Sequence, residues 1–410
     1  MSNEGVGALQ NIRVLDLSRV LAGPWCGQIL ADLGAEVIKI ERPQVGDDTR
    51  RWGPPWMLDN TGNPTLEAAY YQTANRNKHS VAVDIATAEG QAIIHELVKT
   101  SDVLIENYKA GSLKKYQLDY DTLKAINPKL VYCSITGFGQ TGPRASEPGY
   151  DFIIQGMGGL MSITGEKDGI AGGGPQKVGV AVTDVMTGLY ATIAIQAALL
   201  HRTNTGQGQY IDMALLDVQI AMLANQGMNY LASGNVPQRY GNAHPNIVPY
   251  QVFSGSDQDF IIACGNDSQF TALCQAVGLS ELPTEPRFAT NANRVKHREE
   301  LVGILTQHFA TNTASRWVEL IHAVKVPVGL INDIAQAVAE PQVQAREMLV
   351  TLPHPLQDSL TLIGSPIKLS DTPVSYRKAP PMLGEDTDSV LSSILSHAKL
   401  ATLRQQGVIQ

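Results

Sequence analysis

The chain has 410 residues, of which 43% are hydrophobic and 17% are charged. This is the composition of an ordinary globular protein of two or three domains, which excludes a disordered chain, a collagen and a coiled-coil array. Subtracting 39 acidic residues from 31 Lys and Arg residues leaves a net charge of -8, so a nucleic-acid partner is not expected.

The N-terminal residues contain no charged segment followed by an apolar core, and the longest apolar run, near Met186–Leu200, is interrupted by Gly188 and polar residues. A secretory leader and a membrane span or membrane partner are therefore not expected. The four cysteines lie in apolar stretches without CxxC spacing, which is typical of reduced cysteines packed as small hydrophobic residues. We expect a cytoplasmic protein.

Over the first 140 residues, short apolar segments alternate with segments of helical periodicity. The predicted elements are, in chain order, a strand Ile12–Leu17, a helix Trp25–Leu33, strands Glu36–Ile40 and Ser80–Asp84, a helix Glu89–Val98, a strand Val103–Ile105, a helix Tyr120–Ile126 and a strand Leu130–Ile135. Repeated βαβ units predict a parallel sheet covered by helices. Ligands are expected at the carboxyl ends of such strands.

The segment Phe138–Gly179 is rich in Gly, Pro, Ser and Thr, which predicts long functional loops. A long helix over Asp184–His201 follows, and TGQGQYIDMALLD then predicts a strand that leads into a helix.

A second, mixed α/β domain is predicted beyond Ser233. Its elements are a loop to Pro249, a hairpin Tyr250–Gly265 and helices Ser268–Val277, Val295–Ala310 and Ala314–Val324. A connector with strands at Met348–Leu352 and Leu360–Ile363 follows, and helical periodicity returns only near the C-terminus.

Gly137, Gly139 and Gly142 form a GxGxxG pattern after the strand predicted to end at Ile135. A dinucleotide site requires a helix that begins at this loop, because the helix N-terminus binds the pyrophosphate. Pro143 follows instead, so we interpret the segment as a cluster of turns. A nicotinamide-dependent reductase is the alternative from a different reaction class.

Basic residues cluster after the first strands, as Arg42, Arg50, Arg51, Arg76, Lys78 and His79. Converging guanidinium and ammonium groups are suited to a ligand with several phosphates. The alternative is a solvated surface of ion pairs, which the spacing alone favours.

Asp151 lies in the segment EPGYDFIIQGMGG, between glycines that allow backbone amides to approach closely. An aspartate in such a setting can act as a covalent nucleophile whose oxyanion intermediates are stabilised by amide donors. The alternative is a helix N-cap, because Asp before FIIQ is an ordinary helix start. The residues alone favour the N-cap.

Seven blocks spread over the chain carry a family resemblance. They are VLDLSRVLAGPWCGQILADLGAEVIKIERP, NRNKHSVAVD, VLIENYKAGSL, NPKLVYCSITGFGQTGP, GYDFIIQGMGGLMSITG, TGQGQYIDMALLD and PPMLGEDTDSVL. In this order the blocks resemble the class III CoA-transferase family, which includes formyl-CoA transferase, carnitine CoA-transferase and α-methylacyl-CoA racemase. The resemblance covers essentially the full chain.

The resemblance implies an α/β fold with a Rossmann-like large domain and a small α/β domain, in an interlocked homodimer whose chains thread through each other. The implied domains are a CoA-binding large domain over 1–205 completed by 378–410, a linker over 206–232, the small domain over 233–334 and a linker over 335–377.

Carried over residue by residue, the resemblance assigns the catalytic aspartate to Asp151. The implied contacts to CoA are Val20, Leu21, Ala22, Arg42, Asn107, Tyr108 and Lys115, with Thr136, Gly137 and Phe138 beside the pantetheine and thioester. Lys115 replaces an arginine of formyl-CoA transferase, and Thr136 and Phe138 replace a lysine and a tyrosine. The glycine-rich loop of that enzyme has no clear copy; the nearest candidate is Tyr240–Asn246, which argues against formyl and oxalyl specificity.

The implied activity is CoA transfer from an acyl-CoA to a carboxylic acid through aspartyl anhydride and aspartyl-CoA intermediates, with CoA and acyl-CoA as substrates, no tightly bound cofactor and no metal. The segment GLMSITGEKDG resembles relatives that use succinyl-CoA and small dicarboxylates. An acyl-CoA racemase on the same fold is the alternative. Racemases of this family tend to have GHD where this chain has Gly149, Tyr150 and Asp151, so Tyr150 favours transfer. A noncatalytic acyl-CoA-binding relative is disfavoured by the intact Asp151.

Overall fold

A computed structural model of the chain describes residues 7–410. The strands of these residues are β1 (Arg13–Asp16), β2 (Glu36–Glu41), β3 (Trp56–Leu58), β4 (Pro64–Ala68), β5 (Lys78–Ala82), β6 (Val103–Glu106), β7 (Val131–Thr136), β8 (Tyr210–Ala214), β9 (Tyr250–Ser254), β10 (Asp259–Ala263), β11 (Val328–Leu330), β12 (Leu349–His354) and β13 (Gln357–Ile363).

The helices of the same residues are α1 (Ala22–Asp32), α2 (Ala69–Gln72), α3 (Ala88–Val98), α4 (Tyr120–Ile126), α5 (Asp151–Met157), α6 (Leu160–Ile163), α7 (Val182–Thr205), α8 (Leu215–Ala221), α9 (Ala224–Ser233), α10 (Asp267–Val277), α11 (Asn291–Lys296), α12 (Arg298–Phe309), α13 (Ala314–Ala323), α14 (Ile334–Ala339), α15 (Pro341–Ala345), α16 (Thr387–Leu391) and α17 (His397–Gln405). Short 3-10 helices cover Asp48–Arg51, Ser112–Tyr116 and Leu282–Thr284.

Six strands form one parallel sheet in the order β5-β2-β1-β6-β7-β8. Numbered along the chain within this sheet, the order is 3-2-1-4-5-6, which is that of doubly wound Rossmann sheets. The order reverses between β1 and β6, and ligands of such sheets bind at the carboxyl ends of the strands beside the reversal. The predicted parallel α/β sheet is confirmed.

Hydrophobic cores cover both faces of this sheet. Leu15, like its neighbours on one face, packs with residues of α3, α4, α16 and α17, and Val14 packs with residues of α1 and α7 on the other face. Both residues have no solvent exposure. Successive apolar residues on opposite faces are what a doubly covered parallel sheet requires.

The chain divides into two units, one formed by the described residues up to Leu160 with Val178–Leu231 and Pro341–Gln410, the other by Met161–Lys177 with Ala232–Glu340. The larger unit contains the parallel sheet and the hairpins β3–β4 and β12–β13. The smaller unit contains the antiparallel sheet β11-β10-β9, with a core that includes Phe260 and Trp317.

Two local predictions are wrong. The segment Phe138–Gly179 contains α5 and α6 rather than loops alone, because a two-turn helix needs only a short run such as DFIIQGM to bury Ile154 and Gln155. The two strands predicted at Met348–Leu352 and Leu360–Ile363 are present as the hairpin β12–β13, and the role of the range 335–377 as a linker stays a prediction. The helix predicted over Val295–Ala310 is two helices, α11 and α12, separated at His297.

α7 has 24 residues and is long and apolar enough to cross a membrane by length and composition. It packs against α1 in the larger unit, and its residues Ala191, Ile195 and Ala198 have no solvent exposure. These buried positions are those of a core helix, a class that passes the same test of length and composition.

Candidate active site

A cavity of about 230 Å³ lies at the carboxyl ends of β1, β6 and β7. Its wall includes seven of the predicted CoA contacts, which are Val20, Leu21, Ala22, Asn107, Tyr108, Thr136 and Gly137. Segments distant in sequence therefore meet at the reversal of the strand order, where a doubly wound sheet binds its ligand.

Three predicted CoA contacts are not part of the cavity wall. Arg42 and Lys115 are exposed, and the Lys115 ammonium lies 4.5 Å from the centre of the Tyr116 ring. Phe138 is partly buried and packs against the core under α1 and α7. The cavity wall thus contains seven of the ten predicted CoA contacts and does not include these three.

A buried ion pair holds the loop that follows β1. Val20 has a positive φ of 73°, a conformation that is unfavourable for a β-branched residue, and its N–H donates to Asp47 Oδ1 at 3.2 Å. Lys39 Nζ lies 2.9 Å from Asp47 Oδ2 and donates to the Ser18 carbonyl at 2.9 Å. Both charged side chains have no solvent exposure, and their hydrogen bonds to Val20 and Ser18 hold the loop in this conformation.

Asn107 connects the loops that follow β1 and β6. Its side-chain carbonyl accepts from the N–H of Arg19 at 2.9 Å, and its amide donates to the carbonyl of Arg19 at 2.6 Å. Asn107 was predicted from the resemblance as a CoA contact, and this bidentate link shows that it also positions the neighbouring loop.

Asp151 is the first residue of α5, and Tyr150 is the N-cap. Its carboxylate does not cap α5: Oδ1 accepts from the N–H of Thr183 at 2.8 Å, and Oδ2 accepts from Gln155 Nε2 at 2.7 Å. Thr183 belongs to the first turn of α7, where unpaired N–H groups and the helix dipole favour an anion. The carboxylate is thereby held in one orientation.

Gln155 is a site residue that the sequence analysis missed. It is fully buried, and its side-chain carbonyl accepts from the N–H of Val178 at 2.9 Å while its amide holds Asp151. The i, i+4 spacing of Asp151 and Gln155 on one helix face was the signal that could have found it.

Two glycines make the loop after β7 possible. A Cβ atom on Gly137 would lie 2.5 Å from the Cα atom of Gly149, which no side chain tolerates. Tyr150, the next residue, lines the cavity and is 64% exposed. No helix begins between Gly137 and Gly149, which agrees with the interpretation of GxGxxG as turns.

Asp184 lines the same cavity, one residue after Thr183. Burial and, in second place, the negative charge of Asp151 raise the pKa of Asp184 to about 7. The cavity therefore contains a carboxyl group that exchanges its proton near neutral pH.

Three of the clustered basic residues are neither exposed nor in the cavity wall. They form buried ion pairs, Arg50 with Glu41 at 2.8 Å, Arg76 with Asp32 at 2.6 Å and Lys78 with Asp16 at 2.9 Å. The interpretation as a solvated surface is wrong for these three. Their acidic partners lie on β1, α1 and β2, and the spacing of the basic residues does not predict these partners.

A family model, curated relatives and a solved structure all match nearly the whole chain. The model of CoA-transferase family III matches residues 9–387. The chain is 50% identical to succinate–glutarate CoA-transferase of Agrobacterium fabrum, covering 96% of this chain and 97% of that protein, and 42% identical to succinyl-CoA:glutarate CoA-transferase of Mus musculus, covering 98% and 90%. The crystal structure of a CAIB/BAIF family protein from Brucella suis is 49% identical, with a TM-score of 0.83, over 94% of this chain and 99% of that one.

Proposed function

This chain belongs to CoA-transferase family III and is a CoA-transferase, and we propose that it moves CoA from succinyl-CoA to a short dicarboxylic acid such as glutarate through covalent intermediates on Asp151. The observation that carries the proposal is the orientation of Asp151. Its carboxylate is held by Thr183 and Gln155 beside Tyr150 and Asp184, which line the cavity.

In the proposed reaction Asp151 attacks the thioester carbonyl, which gives a mixed anhydride and the CoA thiolate. The thiolate attacks the aspartyl carbonyl and releases the donor acid, leaving an aspartyl-CoA thioester. The acceptor carboxylate attacks this thioester to form a second anhydride, from which the returning thiolate takes the new acyl group. Each step exchanges one activated acyl group for another, which is the advantage of covalent catalysis.

The relatives named above support the substrate class, since both names pair succinate or succinyl-CoA with glutarate. They also support transfer over racemisation, as does Tyr150 in place of the histidine that racemases of the family tend to have. The second carboxylate of a dicarboxylic acid offers a charge-assisted hydrogen bond that a monocarboxylic acid lacks.

Activity of the wild type and of Asp151→Asn with a panel of CoA esters and carboxylic acids tests the proposal. We expect kcat/KM for succinyl-CoA with glutarate to exceed that with acetate or butyrate by about tenfold or more, since one charge-assisted hydrogen bond is worth at least about 1.4 kcal/mol. Asp151→Asn should lose transfer while CoA still binds in equilibrium dialysis. Substantial turnover by Asp151→Asn would contradict the covalent mechanism.

We also propose that the functional unit is an interlocked homodimer. α9 buries none of its residues, and it exposes the large apolar side chains of Met228, Tyr230 and Leu231. α5 exposes Phe152 and Ile153. Apolar side chains of this size at neighbouring positions are typical of surfaces that another chain covers.

A further inference from the structure

Asp184 places a carboxyl group in the cavity wall, close to the carboxylate of Asp151. It stands in the first turn of α7, and its backbone N–H lies 3.3 Å from Asp151 Oδ1. Within residues 7–410 no group hydrogen-bonds the Asp184 carboxyl, although the residue is partly buried. None of the covalent steps proposed for Asp151 involves the Asp184 carboxyl group.

The charges around Asp184 come from several elements. Asp151 on α5 acts on it directly. The pKa of Tyr70 on α2 is raised by burial first and then by the charges of Asp184, Asp151 and Asp47. The other charged or titratable residues of the cavity wall are Arg19, Asp48, Tyr108, Lys109, Glu147 and Tyr150. The neutral form of Asp184 is favoured by burial first and by the charge of Asp151 second.

We infer that Asp184 carries the proton of the reaction, giving it to the CoA sulfur when the thioester breaks and taking it back when the thiol attacks acylated Asp151. The inference rests on the proposed nucleophilic role of Asp151. In the first step the Asp151 oxygen bonds the acyl carbon, the C–S electron pair goes to sulfur, and the Asp184 proton follows. In the second step sulfur bonds the aspartyl carbon, Asp184 regains the proton, and the donor acid leaves as its carboxylate.

The charge of Asp151 makes the first proton transfer favourable, and bond formation at sulfur makes the second one favourable. A thiol has an ordinary pKa of about 8.5, whereas the pKa of Asp184 is about 7, so the new thiolate is the stronger base. Acylation also neutralises Asp151 and removes one of the two causes that hold the proton on Asp184. In the second step the S–H group becomes strongly acidic as sulfur bonds the aspartyl carbon, so the carboxylate of Asp184, which has just lost its proton, can accept it.

Quenched-flow mass spectrometry of adduct formation with succinyl-CoA, without an acceptor acid and from about pH 5.5 to about pH 9.5, tests this role. Wild-type adduct formation should slow as pH rises through the pKa of Asp184, because the acid form is required. Asp184→Asn keeps the size and a hydrogen-bond donor but has no transferable proton, so its rate constant should fall by about 10²-fold and lose that dependence on pH. Asp184→Glu should restore the dependence at least in part.

Asp217→Asn is the matched control, since Asp217 stands in the first turn of α8, is exposed and does not line the cavity; it should react as the wild type does. A wild-type pH profile in Asp184→Asn, with the adduct still formed, would overturn the role of Asp184 and leave that of Asp151 intact. Transfer by the wild type without any adduct would overturn both.

Discussion

Glu106 is a carboxyl group at the end of β6 that is only 4% exposed. Its Oε2 accepts from the N–H of Tyr108 at 2.8 Å. Burial raises its pKa to about 7, in spite of the opposing hydrogen bonds from Ser134 and from Tyr108. The folded protein therefore binds a proton here that the unfolded chain releases at its ordinary pKa of 4.5.

Glu106→Gln should change the dependence of stability on pH. The wild type loses the contribution of protonated Glu106 as pH rises from about 4.5 to about 7, a loss of about 3 kcal/mol from the pKa difference. The glutamine variant has no such loss, so its free energy of unfolding relative to the wild type should rise by about that amount between pH 4.5 and pH 8. Denaturant unfolding of both proteins at pH 4.5 and pH 8 measures this change. The same difference in free energy of unfolding between variant and wild type at both pH values would show that folding does not raise the pKa of Glu106.

At the residue scale, the sequence analysis identified the loop residues of the cavity but not what holds them. Asn107 and Val20 were recognisable through the family resemblance. Thr183, which binds Asp151 through its backbone N–H, is 32 positions away along the chain, and any residue but proline could donate that bond. A hydrogen bond from a backbone N–H therefore cannot be predicted from the type of the residue that donates it.

The contact of α1 with α7 sets the position of the helix start that holds Asp151. A Cβ atom on Gly188 of α7 would lie 2.7 Å from the carbonyl oxygen of Ala22 and 3.0 Å from the Cβ atom of Trp25. The two helices therefore approach as closely as they do because residue 188 has no side chain.

Gly188→Ala should push α7 away from α1, destabilise the protein by about 1–3 kcal/mol and lower turnover, since the N–H of Thr183 moves with the helix. Gly303→Ala is the control, because a Cβ atom on Gly303 of α12 meets no atom within 4 Å, and it should stabilise by about 0.5–1 kcal/mol with unchanged turnover. Thermal unfolding and kcat measure both. A Gly188→Ala protein as stable and as active as the wild type would show that the contact does not position the site.

At the element scale, periodicity predicted the strands and long helices of the parallel sheet because both faces of these strands are buried. It did not show α5, whose seven residues lie among glycines and prolines; only the helix-start signal of Asp before FIIQ indicated that helix. It also missed α9, which has no buried residue in this chain. A short helix that is stabilised by tertiary contacts has too few residues to show a helical periodicity of apolar side chains in the sequence.

For the whole molecule, the family resemblance predicted more of the domain organisation than the periodicity of the sequence did. It implied that the C-terminal residues complete the sheet domain. In the structure, the backbone N–H groups of Ser80 and Ala82 of β5 donate to the side chains of Asp386 and Thr387. The strand order could not be read from element lengths, since it depends on pairings between distant segments such as Val14 with Val103. The assembly stays a prediction.

An interlocked homodimer should not exchange subunits under native conditions. Separation would require opening the core of at least one chain, so exchange should be limited by unfolding rather than by dilution. We expect native mass spectrometry of two differently tagged, mixed preparations to detect no mixed dimer over hours. Mixed dimers within minutes, or a folded monomer at nanomolar concentration, would contradict the interlocked assembly.

The central claim is that CoA transfer passes through Asp151, and the mass of the wild-type protein after incubation with succinyl-CoA alone tests it most directly. We predict an increase equal to the mass of CoA less one water, located by peptide mapping at Asp151 and removed when glutarate is added. An adduct on a different residue, or an unmodified protein under conditions where transfer proceeds at its full rate, would contradict the claim.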